Sequence, residues 1–373
     1  GKGNNNAFNH KEVYDILDLC LSCKACKSEC PSSVDMAKLK AEFLQHWYDV
    51  HGIPLRTRII ANVTTFNAIG AAAPHIFNFF ATNKLFSGLF KKMIGFASDR
   101  SVPVLQSLTV SKWVRNNLNH LNNKLPATAP EVTYFVDEFT NYNDASIGIK
   151  TIKLLNGLGI RVFVYQSGQS GRTYFSKGLL RTARKIANKN IKALSCLVHD
   201  ERPLIGTEPS AILSFRDEYP DIAGKDLINE AKEIAQNAYM LEEYILAAWK
   251  IGKIDQSAFT HKALKIKVHG HCQQKALTGT KPTLEMLAIP TNYEVSEIPS
   301  GCCGMAGSFG YEKEHYALSM KVGELVLFPE IRNTSRETVI VASGTSCRHQ
   351  IRDGTEREAM HPVEVMYEAL NHH

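Results

Sequence analysis

No apolar run of about 18 residues or more occurs in this 373-residue chain, so a spanning helix is not expected. No secretory leader opens it either: GKGNNNAFNH is polar and lacks Met, and it reads as the start of a piece cut from something longer. Neither a Walker-type phosphate loop nor a dinucleotide G-x-G-x-x-G occurs in a strand–helix context, and no Ser-His-Asp or Cys-His nucleophile arrangement stands out. Acidic residues almost vanish between His51 and Pro130, where Asp99 alone faces nine Lys and Arg. That window carries +8 while the chain totals +6, so the remainder is slightly acidic. Nucleic acid is not an expected partner.

The totals otherwise describe a globular protein of two or three domains, with 44% hydrophobic and 21% charged residues. The basic window contains AIGAAAPHIFNFFATNKLFSGLFKKMIGFA, where Phe86, Phe90 and Ile94 have helical spacing. Such helices either pack on the rest of the protein or offer a face to a membrane surface or a membrane-bound partner.

Nine cysteines, an odd number, argue against a fully paired disulfide framework. Their grouping favours metal binding in a reducing compartment. Four of them form C-x2-C-x2-C-x3-C-P at Cys20, Cys23, Cys26 and Cys30, followed by Pro31. Two-residue spacings let a turning backbone bring three thiolates onto one iron–sulfur cluster, and the fourth cysteine of such a run usually serves a second cluster. Lys24 and Lys27 add positive charge that favours thiolates. HKEVYDILDL before the run and SVDMAKLKAEFLQHWYDV after it read as helices, the latter with Val34, Ala37, Leu39, Phe43 and Trp47 on its apolar side. A two-cluster domain needs a second four-cysteine run, which is absent, so the cluster on Cys20, Cys23 and Cys26 is short of a fourth ligand. A missing run is expected upstream of Gly1.

The remaining chain carries an internal repeat. LNGLGIRVFVYQSGQSG from Leu155 aligns with AIPTNYEVSEIPSGCCG from Ala288 at an offset of 133 residues, each reading as a helix end, a strand and a glycine turn. The alignment sets Cys272 on Phe139, Cys302 on Gln169, Cys303 on Ser170 and Gly304 on Gly171. TSCRHQIRD matches PSAILSFRD at an offset of 136, which sets Cys347 on Ala211. EVTYFVDEF, ALKIKVHGH and RETVIVASGTS read as strands, while GIKTIKLLNGLG and GLLRTARKIANKN read as helices. Such alternation predicts parallel sheets with ligand sites at the carboxyl ends of strands. Cys272, Cys302, Cys303 and Cys347 all follow predicted strands, and four sulfurs satisfy either an iron–sulfur cluster or zinc. The glycines of SGCCGMAGSFG allow the sharp turn that vicinal ligands need, and backbone N–H groups there would donate to a bound cluster's sulfurs. Cys196 lacks any such context and is expected in the core. His269, His271, His349 and His361 are expected mainly as hydrogen-bonding partners, and Arg348 is a candidate to offset cluster charge.

The fold expected is therefore multidomain. An all-helical ferredoxin-type domain over 1–55 leads into a basic apolar helical linker over 56–130. A first α/β module that has lost its ligands covers 131–245, and a second with the cysteine site covers 246–373. LCLSCKACKSECPSSVDMAKLKAEF, EPSAILSFRDEYPD and SGCCGMAGSFGYEKEHY together resemble iron–sulfur proteins with cysteine-rich CCG domains. That group includes the CCG-domain subunits of heterodisulfide reductase, of glycolate oxidase (its iron–sulfur subunit) and of anaerobic glycerol-3-phosphate dehydrogenase. The chain is similar in particular to the C-terminal half of fused FAD-linked oxidases of the D-lactate or D-2-hydroxyglutarate dehydrogenase type. The resemblance implies that Cys20, Cys23, Cys26 and Cys30 match ferredoxin ligands and that Cys272, Cys302, Cys303 and Cys347 match those of the CCG module. It implies [4Fe-4S] clusters, FAD in an absent domain or partner subunit, and a quinone or other carrier as electron acceptor. A cytoplasmic protein, peripheral on the inner face of a membrane and inactive alone, is what it leads us to expect. The sequence departs from the fuller CCG pattern because RHQ follows Cys347 where a fifth cysteine would stand, which argues against a five-cysteine noncubane cluster. Two alternatives remain open from the residues: a zinc-stabilised structural or docking module, and thiol–disulfide chemistry at Cys302–Cys303 of the heterodisulfide reductase kind.

Overall fold

The computed structural model describes residues 8–166 and 168–371. The polar start and Ser167 of the SGQSG turn lie outside the described residues. The architecture is multidomain, largely helical, with two parallel sheets.

The cysteine run sits among helices, as expected: Lys11–Asp18, Ala25–Glu29 and Met36–His51. The Asp35 carboxylate accepts the free N–H groups of Ala37 and Lys38 (3.0 and 3.1 Å) and so starts the third helix. Its end is set by Gly52 at φ 78°. The buried face differs from the one read from the sequence. Val34 and Leu39 are exposed, and Ala37, Ala41, Phe43, Leu44 and Tyr48 are buried. Leu44 and Tyr48 enter a core shared with Phe135, Tyr174, Phe175 and Ala183, so packing on the first α/β module chose the face. Trp47 instead stacks between Tyr14 and His51.

The basic segment forms five helices between Leu55 and Asn122. Of the expected stripe, Ile94 is buried but Phe86 and Phe90 are 43% and 45% exposed. The helix Lys84–Ile94 buries Ser87, Lys91 and Ile94 instead. Phe79, Phe80 and Phe86 meet one another on the outside, beside exposed Ile76, Leu85, Leu89 and Met93. These helices do not hide their aromatic face against the described residues. Among the described residues, no helix is long and apolar enough to cross a membrane.

The repeat is visible in the sheets. Strands β1 (Glu131–Phe135), β2 (Arg161–Tyr165), β3 (Leu204–Gly206) and β4 (Ala238–Met240) form one sheet in the order β2-β1-β3-β4. Strands β5 (Leu264–His269), β6 (Tyr293–Glu297) and β7 (Val339–Ala342) form the other in the order β6-β5-β7. All pairs are parallel, with Glu131 opposite Arg161 in the first and Leu264 opposite Tyr293 in the second. Dropping β4 leaves two sheets of identical order, each strand falling 132 to 136 residues from its counterpart. One hydrophobic core takes Val132, Tyr134, Ile152 and Leu155 from the first unit and Ile266, Val268, Met286 and Val341 from the second. Each such side chain contributes about 1.5–3 kcal/mol when fully buried, so the shared core fixes one unit against the other.

Cys196 overturns an expectation: it is exposed. The helix Leu180–Leu194 ends before it, and Leu194 and Val198 on either side take the core positions.

Candidate metal centre

The carboxyl ends of β5, β6 and β7 deliver four thiols to one place. Cys272 begins the helix Cys272–Leu277, and Cys347 lies in the first turn of Thr345–Thr355. Cys302 and Cys303 come from the loop after β6. The loop turns at Gly304 (φ 92°), matched in the first unit by Gly171 at φ 79°. A Cβ on Gly304 would stand 2.3 Å from the Ser319 carbonyl oxygen, so the turn both needs the left-handed backbone and abuts the next helix. The Gly304 N–H donates to the Cys302 sulfur (3.3 Å).

The four thiols are hydrogen-bonded in series. Cys302 is pulled well below the ordinary thiol range by bonds from Cys272 and Cys303, and Cys272 is pushed up as the donor. Cys347 is likewise lowered by Cys303, with His269 and His271 adding to the effect, while Cys303 is raised. Cys303 and Cys347 are buried among Ile298, Met305, Leu327 and Phe328, a dry wall on one side of the site.

Of the four histidines considered, His269 joins the sulfurs. Its ligand atom and those of Cys303 and Cys347 lie within 4.8 Å of one another. Its Nδ1 is hydrogen-bonded to Ser300 Oγ (2.8 Å), while its buried Nε2 has no hydrogen-bond partner among the described residues. A buried, unpartnered nitrogen costs roughly 1–3 kcal/mol unless something binds it, so this atom fits a metal ligand. His271 caps its helix through Gln273 N–H, and His361 meets the Thr207 carbonyl, both as hydrogen-bonding partners. Burial holds His349 at about 4, neutral, with its Nδ1 unpartnered among the described residues. Arg348 pairs with Asp144 at 2.6 Å and donates to the Ala342 and Ser343 carbonyls.

The first cysteine run meets this site. Helix Ala25–Glu29 packs against Cys272–Leu277, and the charges of Cys302, Cys20 and Cys26 all bear on Cys23. Burial raises the Cys23 thiol. The lysines therefore do not act as expected. Lys24, 1% exposed, is spent on Asp217 (2.6 Å), Asp35 (2.9 Å) and Glu218 (3.1 Å), and Lys27 also pairs with Asp217. Their role is to clamp the run to the first α/β unit. Cys30 stands apart. N–H groups of Val34, Ser32 and Ser33 lower its pKa, and no neighbouring thiol contributes.

A second clamp holds the loop after Cys303. Glu312 meets Lys177, Arg56 (3.4 Å) and His315 (3.3 Å), and His315 reaches Asp18 (3.0 Å). These partners hold Glu312 at about 2 and raise His315 to about 9, although burial opposes both shifts. Arg100, fully buried, donates to the Gly310 carbonyl (2.9 Å) and to Gln350 (2.7 Å). Sequence reasoning counted Arg56 and Arg100 only as part of a basic window. Their partners lie more than 200 residues away, and nothing local marks them.

At the equivalent place in the first unit the residues close on themselves. Ser170, on the Cys303 position, bonds Glu138 through Oγ and N–H (both 2.8 Å), and its carbonyl accepts from Tyr219 (2.8 Å). Glu138 occupies the position of His271, with burial raising its carboxyl. Glu208 then crosses to the second unit and accepts from the Thr345 N–H (2.9 Å), steadying the turn that carries Cys347.

Fold and site define a cysteine-rich protein in which a helical cysteine run docks on a duplicated α/β pair. The chain is homologous to D-2-hydroxyglutarate dehydrogenase of Escherichia coli (strain K12), 29% identical over 368 residues that cover 97% of this chain and 35% of the relative. The anaerobic glycerol-3-phosphate dehydrogenase of the same organism has one subunit that is 27% identical over 329 residues, covering 87% of this chain and 79% of that protein. A probable glycolate oxidase iron–sulfur subunit of Bacillus subtilis (strain 168) is 21% identical over 384 residues, with 97% and 84% covered. The chain thus spans about a third of the length of the D-2-hydroxyglutarate dehydrogenases that it matches. No family model and no solved structure matches it.

Proposed function

We propose that this chain is the iron–sulfur electron-transfer portion of a flavin-dependent 2-hydroxy acid dehydrogenase. The observation that carries this reading is the convergence of Cys23 with Cys272, Cys302, Cys303, Cys347 and the unpartnered Nε2 of His269. Iron–sulfur clusters, held here by the two cysteine groups, would supply one-electron carriers. The chain's own part is to keep the sulfurs together, give them N–H donors such as that of Gly304, and wall Cys303 and Cys347 off from water with Met305 and Phe328. Homology to dehydrogenase and iron–sulfur subunits supports an oxidoreductase setting. FAD and the hydroxy acid would be bound by the part of such a protein that this chain does not span, or by a partner subunit, with electrons leaving to a quinone or other carrier.

Iron and acid-labile sulfide analysis of anaerobically purified protein tests this. About four irons are expected for each filled cluster. Stoichiometric zinc, with fewer than about two irons per chain and no absorption from sulfide-to-iron charge transfer, would replace this reading with the zinc-stabilised module.

The exposed apolar helices support a location at a membrane surface. Ile76, Phe79, Leu85, Leu89 and Met93 face outward, with Lys84 and Lys92 nearby, as in a segment that lies on anionic lipid. Vesicles containing anionic lipid are expected to retain the chain and to lose it when Leu85, Leu89 and Met93 are replaced by Ser. Equal retention of both proteins would refute the membrane role.

A further inference from the structure

We propose that His269 Nε2 is a direct ligand of the metal centre that Cys303 and Cys347 hold, taking the place of the fifth cysteine that this chain lacks. This rests on the iron–sulfur reading above and names one ligand within it.

Three strand ends bring the donors together. His269 is the last residue of β5, the central strand of its sheet, between β6 and β7. Cys303 lies in the loop after β6, and Cys347 lies in the first turn of the helix that follows β7. One ligand atom from each of the three lies within 4.8 Å of the others, and all three residues are buried.

The imidazole is also set for the task. Nδ1 is engaged by Ser300 Oγ at 2.8 Å, which leaves Nε2 as the nitrogen free to bind. His269 is only 1% exposed, and no oxygen or nitrogen among the described residues bonds its Nε2. Histidines that bind metal use one nitrogen for the ion and tie the other to a hydrogen-bonding group in this way. Ser300 is itself fixed, because the Lys275 ammonium donates to its carbonyl.

The residue standing where a fifth cysteine would be is engaged elsewhere. Gln350 is fully buried, its Oε1 accepting from Arg100 (2.7 Å) and its Nε2 donating to the Ser319 carbonyl (3.1 Å). His269 fills the ligand set from the opposite side of Cys347. A neutral imidazole in place of a thiolate removes one negative charge, so the centre takes up an electron more readily than one held by sulfur ligands alone.

The test uses the full chain, grown with histidine labelled with heavy nitrogen in the ring, purified anaerobically and reconstituted with iron and sulfide. Pulsed EPR of the reduced protein is expected to show a strongly coupled nitrogen whose frequencies change with the isotope. His269→Cys should lose that coupling, keep its iron and shift the reduction potential of one centre downward. His271→Asn, which can still cap its helix, should keep the coupling and the potential of the unaltered chain. Circular dichroism checks folding. The proposal is overturned if the labelled chain shows no coupled histidine nitrogen, if folded His269→Cys retains it, or if His271→Asn loses it. The first of these outcomes needs no variant, so a poorly folded His269→Cys does not shield the proposal. A chain that takes up no iron would remove the functional reading instead. Cobalt(II) then serves as the probe, and presence or absence of the same histidine coupling supports or overturns the ligand assignment.

Discussion

Lys24→Met destabilises the chain by about 3–5 kcal/mol, the cost of breaking a buried ion pair from one side. The ammonium of Lys24 touches Asp35, Asp217 and Glu218, all nearly buried. Methionine keeps the stem and removes only the charge. Asp217 retains Lys27 and Lys38, and Glu218 retains Arg172 at 2.7 Å, but Asp35 is left with Lys27 at 4.0 Å. These partners hold the Asp217 carboxyl far below the usual range. Its folded pKa is depressed, so its contribution is complete above the unfolded value of roughly 4 and fades as pH falls below it. The loss in Lys24→Met should therefore be full at neutral pH and shrink in acid. Denaturant unfolding of both proteins at neutral and acidic pH measures this, and an equal loss at both would contradict the assignment.

Gly304→Ala has the second large effect. The residue sits at φ 92°, where an L side chain is strained by about 1–3 kcal/mol. Its Cβ would also lie 2.3 Å from a backbone oxygen of the helix Tyr316–Leu325, which has no rotamer to yield. The loop must shift, and with it Cys302, Cys303 and the N–H that meets the Cys302 sulfur. The variant should melt several degrees lower and retain less iron after reconstitution. A contrast is built in: Gly301→Ala has neither a positive φ nor an atom within 4 Å of the new Cβ, and should behave like the unaltered chain. Equal iron retention in the two variants would show that the turn does not set the thiols.

The repeat is legible because glycine, serine and Arg-Asp landmarks recur at offsets of 133 and 136 residues, and the sheets repeat the same strand order. β3 and β4 are not, since Leu204–Gly206 and Ala238–Met240 are three residues each, too short for a periodic signal. Both cysteine groups could be read from spacing, yet their meeting could not, because it depends on tertiary docking of the helical segment. The same limit explains Lys24. Local sequence shows a cation beside thiols, while Asp217, 193 residues on, neutralises it. His269 drew notice only for lying near Cys272. Its orphaned Nε2 exists only once Ser300 has occupied the other ring nitrogen. Cys196 was misjudged because burial followed Leu194 and Val198 around it rather than its own apolar character.

The central claim is that the thiols of the helical run and of the second α/β unit surround one iron–sulfur centre region. The Mössbauer spectrum of anaerobically reconstituted full chain tests it most directly. Nearly all iron is expected to appear as sulfur-coordinated, electron-sharing cluster iron. A spectrum of isolated ferrous or ferric sites, or protein that takes up only zinc, would contradict it.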